Sequence, residues 1–170
     1  MMTGRLEFGV AYESTVESRL IESGWCVHKF GTSLLGDAMR AALVRFEDIA
    51  RRPSLLRWLP DLIAAREFGG RTIVVLVDAK TGNPSYDNFS FERASVDVAE
   101  LCVECFYTPT FFVCCNGDGH KVLTPREVRD RGFRGPDMPA GSGTPYLLVP
   151  KMYGRPFDEI FGPPRTGPKG

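Results

Sequence analysis

The residues with the most chemistry in this chain sit where apolar runs end. Pro60-Asp61 interrupts RWLPDLIAA, and Asp78-Ala79-Lys80 closes TIVVLVDAK, with Asp78 seventeen positions after Asp61. In a strand, residues i and i+2 project to the same face, so Asp78 and Lys80 point together while Ala79 points away. A carboxylate at the end of a buried apolar strand is costly unless something compensates it. If Asp61 lies on the strand paired with that of Asp78, the two carboxylates meet and repel, and a cation between them removes the conflict. A hard divalent ion with oxygen ligands is the simplest such cation. Mg2+ (Mn2+ as a substitute) suits a site with few protein ligands and several waters.

A third acid comes from AYESTVESRLIES, residues 11–23, which reads as a helix ended by Gly24. At about 100° per residue and with Glu13 at zero, Val16 and Leu20 fall near −60° and −20°, and Glu17 near +40°. Glu13 therefore sits within the apolar stripe, while Glu17 lies nearer the edge and can be solvated.

The elements that must position these residues follow from pattern. WCVHKF (25–30) reads as a short strand, and Asp37 starts a second helix over 37–50 with Met39, Ala42, Leu43, Phe46, Ile49 and Ala50 as its inward stripe. Leu55–Ala65 and Arg71–Ala79 read as two strands of a hairpin turned at Glu67-Phe68-Gly69-Gly70. TIVVLV is apolar throughout, as in a central strand covered on both faces. Residues 90–106 read as a helix with Val98, Leu101, Cys102 and Cys105 on one face. TFFVCC and HKVL are strands, and Thr124-Pro125-Arg126-Glu127 has the pattern of a capped helix start. From Gly132 onward, 16 of 39 residues are Gly or Pro, which predicts an extended segment packed along the domain, one short strand at 146–149 and a frayed end after Gly162.

Together these features resemble the PD-(D/E)xK nuclease superfamily, and in particular its small Holliday junction resolvase-like members. Pro60-Asp61 and Asp78-Ala79-Lys80 match the motif. Glu13, Val16, Leu20 and Gly24-Trp25 match the helix pattern E-x-x-φ-x-x-x-L-x-x-x-G-aromatic (φ apolar), and the order helix–strand–hairpin–helix–strand matches the core. The resemblance spans residues 9–131. It implies an α/β fold with a central mixed sheet flanked by helices, a restriction-endonuclease-like core over 1–131 with an inserted helix near 37–50, and an extension over 132–170 packed on it.

The resemblance also implies roles. Asp61 and Asp78 would hold the metal with their side chains and Ala79 with its carbonyl; Lys80 would hold or help deprotonate the attacking water; Glu13 would anchor the metal's water shell or a second ion. The activity implied is hydrolysis of DNA phosphodiester bonds. With no accessory domain visible, a structure-selective endonuclease of junction-resolvase type, acting as a homodimer, is the reading adopted. A restriction- or repair-type endonuclease, an exonuclease, or a catalytically idle DNA-binding or assembly module are the alternatives.

Composition narrows the field less. The 170 residues are 43% hydrophobic and 25% charged, with Lys+Arg and Asp+Glu both at 21, which suits one globular domain. Neutral net charge does not exclude a basic face. Arg40, Arg45, Arg51, Arg52 and Arg57 form one basic group and Lys121, Arg126, Arg129, Arg131 and Arg134 another; they read as solvated helix faces or, on the nuclease resemblance, as candidates for phosphate contacts. No apolar run is long enough for a membrane helix and no signal-peptide pattern is visible. Five cysteines without an export signal read as reduced thiols of a cytoplasmic protein, packing helix against sheet rather than binding zinc. His28 and His120 lack partners at ligand spacing and read as surface or strand-end residues.

Overall fold

The computed structural model describes residues 3–48, 52–82, 85–115, 117, 119–136 and 144–165. Helix α1 (Thr3–Glu22) is followed by strand β1 (Cys26–Lys29), helix α2 (Asp37–Arg45) and the antiparallel pair β2 (Leu62–Phe68) and β3 (Arg71–Lys80). Strand β4 (Asn88–Glu92) leads into helix α3 (Arg93–Cys105), then β5 (Thr110–Cys115), β6 (His120–Leu123) and helix α4 (Pro125–Arg131). The chain closes with β7 (Phe133–Arg134), β8 (Tyr146–Pro150), β9 (Arg155–Pro156) and the short helix α5 (Phe157–Phe161). Six strands form a mixed sheet in the order β1-β2-β3-β5-β6-β9, parallel only between β3 and β5. A smaller antiparallel sheet has the order β4-β8-β7.

Local chemistry explains the elements nearest the site. Gly24, at φ +84°, ends α1: its N–H bonds the Ile21 carbonyl at 2.8 Å and the Trp25 N–H bonds that of Leu20 at 3.1 Å, a Schellman motif. The β2–β3 hairpin turns on Gly69 and Gly70, both left-handed at φ +58° and +76°, which fixes the register from Phe68↔Arg71 to Leu62↔Val77. Thr124 and Glu127 form the expected capping box at the start of α4.

The sheet is covered on both faces. Val16 and Leu20 of α1 pack with Leu62, Val75 and Val77 on one side, and Leu76 meets Val98 and Cys102 of α3 on the other. Full burial of a Val or Leu side chain is worth about 1.5–3 kcal/mol, so α1 is anchored chiefly by this stripe.

Five expectations need correction. The strand expected over 55–65 is a 3-10 turn at Leu55–Trp58, whose first N–H groups are met by Ser54, and β2 begins only after Pro60-Asp61. The helix expected over 90–106 begins at Arg93; Asn88–Glu92 is a strand with Phe89 and Phe91 buried and Ser90 exposed, the alternation of a half-buried strand. On α3 the buried face is Ser95, Val96, Val98, Ala99 and Cys102, while Leu101 and Cys105 are exposed.

The inserted helix ends at Arg45, and Met39, Ala42 and Phe46 of its supposed inward stripe are exposed; Ile49 and Ala50 lie outside the described residues. Periodicity marked an amphipathic helix but not a surface to cover it. The Gly/Pro-rich segment is also more regular than its composition suggests. Strand β9 pairs with β6, and Phe157 and Phe161 of α5 join the core cluster that contains Tyr12 and Trp25.

Candidate active site

Asp61 immediately precedes β2, and one further step of the β2–β3 register past Leu62↔Val77 sets it opposite Asp78. The β1 side holds its main chain. Its carbonyl accepts from the Phe30 N–H at 2.7 Å and from the Ser33 hydroxyl at 3.2 Å. Gly31 permits this approach, since it is left-handed at φ +55° and a Cβ there would lie 2.6 Å from the Pro60 carbonyl oxygen. The Asp61 side chain then accepts a hydrogen bond from the Ala79 N–H at 2.9 Å.

Asp78 is 5% exposed, and its carboxylate accepts an ion-paired contact from Lys80 Nζ at 2.9 Å. Both residues share the sheet face of Leu76, the face covered by α3. Lys80 also lies 5.9 Å from the Phe112 ring centroid. Burial holds the Asp61 carboxyl well above the usual carboxylate range, and Asp78 and Glu13 add to this against the opposing pull of Lys80 and the Ala79 N–H. Burial alone would lower the Lys80 ammonium, but Asp78 and Asp61 reverse that and it is raised. Asp61 and Asp78 bring two carboxyl groups into one buried place with Lys80 as the cation beside them, a set of hard oxygen donors. Such a set fits a divalent cation.

Glu13 lies on the inward side of α1, as helical phase predicts, with a partner that the sequence reading did not name. It sits on the α1 face of the sheet, and its carboxylate bonds Lys29 Nζ at 2.5 Å, while Glu17 bonds the same ammonium at 3.2 Å. Glu13 is the more buried of the two, with 15% side-chain exposure against 27%, in keeping with helical phase. Glu17, expected to be merely solvated, shares the ion cluster. Among the described residues, no three His, Cys, Asp or Glu side chains are gathered into a ready metal cluster, and Glu13 is paired with Lys29. Lys29 was not singled out from sequence. The available signal was alternation, because Lys29 pairs with Leu62 and so must face α1 beside Glu13.

The arginines are less free than their grouping suggested. Arg40 pairs with Asp37 at 2.7 Å, Arg52 with Asp48 at 2.7 Å, and Arg129 with Asp97 and Glu100 at 2.5 and 2.6 Å. Arg126 is 89% exposed with a loose 3.5 Å contact to Asp130, and Arg45 is exposed; Arg51 lies outside the described residues. All five cysteines are free thiols, with Cys102 and Cys114 buried and Cys26 and Cys105 exposed. His120 opens β6 and contacts the Tyr12 hydroxyl through Nδ1 at 3.0 Å, and burial lowers its pKa.

The chain shares its fold with solved nuclease structures, two of which show the likeness. Hjc from Archaeoglobus fulgidus, a Holliday junction resolvase from an archaeal hyperthermophile, matches with a TM-score of 0.56 at 10% identity, over 91% of this chain and 96% of that one. D212, a nuclease from a fusselovirus, matches with a TM-score of 0.50 at 13% identity, over 90% of this chain and 89% of that one. No family model and no curated protein matches the sequence. Among the described residues, no helix is long and apolar enough to cross a membrane.

Proposed function

We propose that this protein hydrolyses phosphodiester bonds of DNA with a divalent metal, as a structure-selective endonuclease of junction-resolvase type. The observation that carries the reading is the Asp61–Ala79 hydrogen bond beside the Asp78–Lys80 ion pair, at the end of paired strands in a nuclease-like fold. Asp61, Asp78 and the Ala79 carbonyl would hold Mg2+ or Mn2+. Glu13 would act from the other face of the sheet, through water. When bound, such an ion polarises a phosphoryl oxygen and acidifies water.

The chain's own residues supply the rest. Asp78 keeps Lys80 charged and oriented, so that the ammonium offers a fixed positive charge to the phosphoryl oxygen on which negative charge builds. In this ion-paired state it is an electrostatic group, not a proton acceptor. Lys29 holds Glu13 in place. Of the arginines singled out, Arg45 is exposed and Arg126 is held only by a loose contact to Asp130, so these two are the freer to meet backbone phosphates, whereas Arg40, Arg52 and Arg129 would first have to leave closer carboxylates. A homodimer would supply two such sites for paired cuts on two strands. Incubation of the purified protein with Mg2+ or Mn2+ and four-way junction, flap, single-stranded and duplex DNA tests the reading; cleavage favouring branched substrates is expected.

A further inference from the structure

A groove of about 330 Å³ opens between the segment that leads into Asp61 and the start of α3. Arg57 and Trp58 form one wall, Glu92, Arg93 and Asp97 another, and Pro145 the end. Its size is at the lower end for ligand pockets, about 300–1,000 Å³, which suits one planar group with its attached phosphate. The indole of Trp58 is fixed: its Nε1 donates to Glu92 at 2.5 Å, and the Tyr146 hydroxyl donates to the other Glu92 oxygen at 3.1 Å. Arg57 lies over the indole with Cζ 4.5 Å from the centroid, so that ring face already accepts a flat cation.

The acids of the groove are engaged, Glu92 by those two donors and Asp97 by Arg129 at 2.5 Å. Among the described residues, no carboxylate pairs with Arg57 or Arg93. The lining thus combines a rigid aromatic face with two cations that have no acidic partner. Aromatic faces with neighbouring positive charge hold unpaired bases, because every base has a π-face and every nucleotide a phosphate.

The groove is tied to the chemistry. Trp58 precedes Asp61 by three residues, and the Glu92 charge is felt by Lys80. We propose that this groove receives one unpaired nucleotide of a DNA strand adjoining the cleavage site, its base against Trp58 and Arg57 and its phosphate against Arg93. The proposal rests on the nuclease reading and deepens it. A base inside a duplex is stacked on both faces and cannot enter, so the groove selects DNA with a splayed or single-stranded arm.

Trp58 reports on its own site. The only other tryptophan, Trp25, is 8% exposed in the core with its indole N–H on the Phe161 carbonyl. The test uses the full chain in EDTA, titrated with a short single-stranded oligodeoxynucleotide, a forked duplex and a blunt duplex. The single strand and the fork should quench tryptophan fluorescence. Trp58→Phe should abolish the quench while binding, read by anisotropy of a labelled strand, persists. Arg57→Ala combined with Arg93→Ala should weaken binding of the single strand and fork about tenfold and of the blunt duplex no more than about twofold. If that variant fails to fold by circular dichroism, Arg57→Gln with Arg93→Gln keeps the packing and is read the same way.

Absence of quenching by the single strand overturns the proposal, as does equal loss of single-strand and duplex binding. Metal-dependent cleavage with no preference for unpaired DNA overturns the groove but not the nuclease. Quenching without cleavage in Mg2+ or Mn2+ supports the groove and overturns the nuclease reading.

Discussion

The Ala79 N–H donates to the Asp61 carboxylate at 2.9 Å, joining the residue before β2 to the residue between Asp78 and Lys80. That bond turns two motif fragments, seventeen positions apart, into one site. Asp61→Asn keeps an acceptor for the N–H and removes the charge. It should leave the unfolding midpoint close to that of the parent while lowering cleavage by at least about a hundredfold. Loss of fold in step with activity would show that Asp61 is there for the strand end alone.

Glu13 and Glu17 share Lys29 unequally, at 2.5 and 3.2 Å. Glu13→Gln should therefore cost about tenfold in cleavage rate, the scale of an outer-shell partner, and Glu17→Gln no more than about threefold. Single-turnover rates at saturating metal provide the comparison. The opposite ranking contradicts the role given to Glu13.

Gly31 admits the Pro60-Asp61 main chain where a Cβ would sit 2.6 Å from the Pro60 oxygen, and its φ is left-handed. Gly31→Ala should cost about 2–4 kcal/mol in denaturant unfolding, from left-handed strain and crowding together. It should also lower cleavage by moving Asp61. A change under about 0.5 kcal/mol means that the close approach does not constrain the fold.

Glu127 gives a pH prediction away from the catalytic groups. Burial pushes its carboxyl up, but the Thr124 N–H and hydroxyl and the Arg155 charge outweigh this, so it is lowered from the ordinary 4.5. A lowered folded value means stability that is present above the unfolded value and lost as pH falls through the folded one. The parent should exceed Glu127→Gln by about 1 kcal/mol near neutral pH, with the difference closing below about pH 4.5. A gap that widens in acid contradicts the sign.

What sequence revealed depended on how local the cause was. Asp61, Asp78 and Lys80 were legible because the Gly69-Gly70 turn fixes the register that brings them together. Lys29 was not, since a lone lysine in a short strand has no spacing signal and its partners sit on another element. Strand β4 was absorbed into the helix that follows it, although Phe89 and Phe91 on either side of exposed Ser90 carry the strand period. Phe157 and Phe161 were hidden by the Gly and Pro around them, yet both lie in the core. The stripe of α2 shows the converse, a helical period with Met39 and Phe46 left exposed.

The central claim is that Asp78, with Asp61 and Lys80, makes this chain a metal-dependent nuclease. Its most direct test is cleavage of end-labelled four-way junction DNA by the parent and by Asp78→Asn, each with Mg2+, with Mn2+ and with EDTA, alongside thermal unfolding of both proteins. The account predicts cleavage by the parent in either metal, none in EDTA, and at least about a hundredfold loss in Asp78→Asn with the unfolding midpoint preserved. A folded parent that cuts none of the DNA forms in either metal, or an Asp78→Asn protein that cuts like the parent, would contradict it.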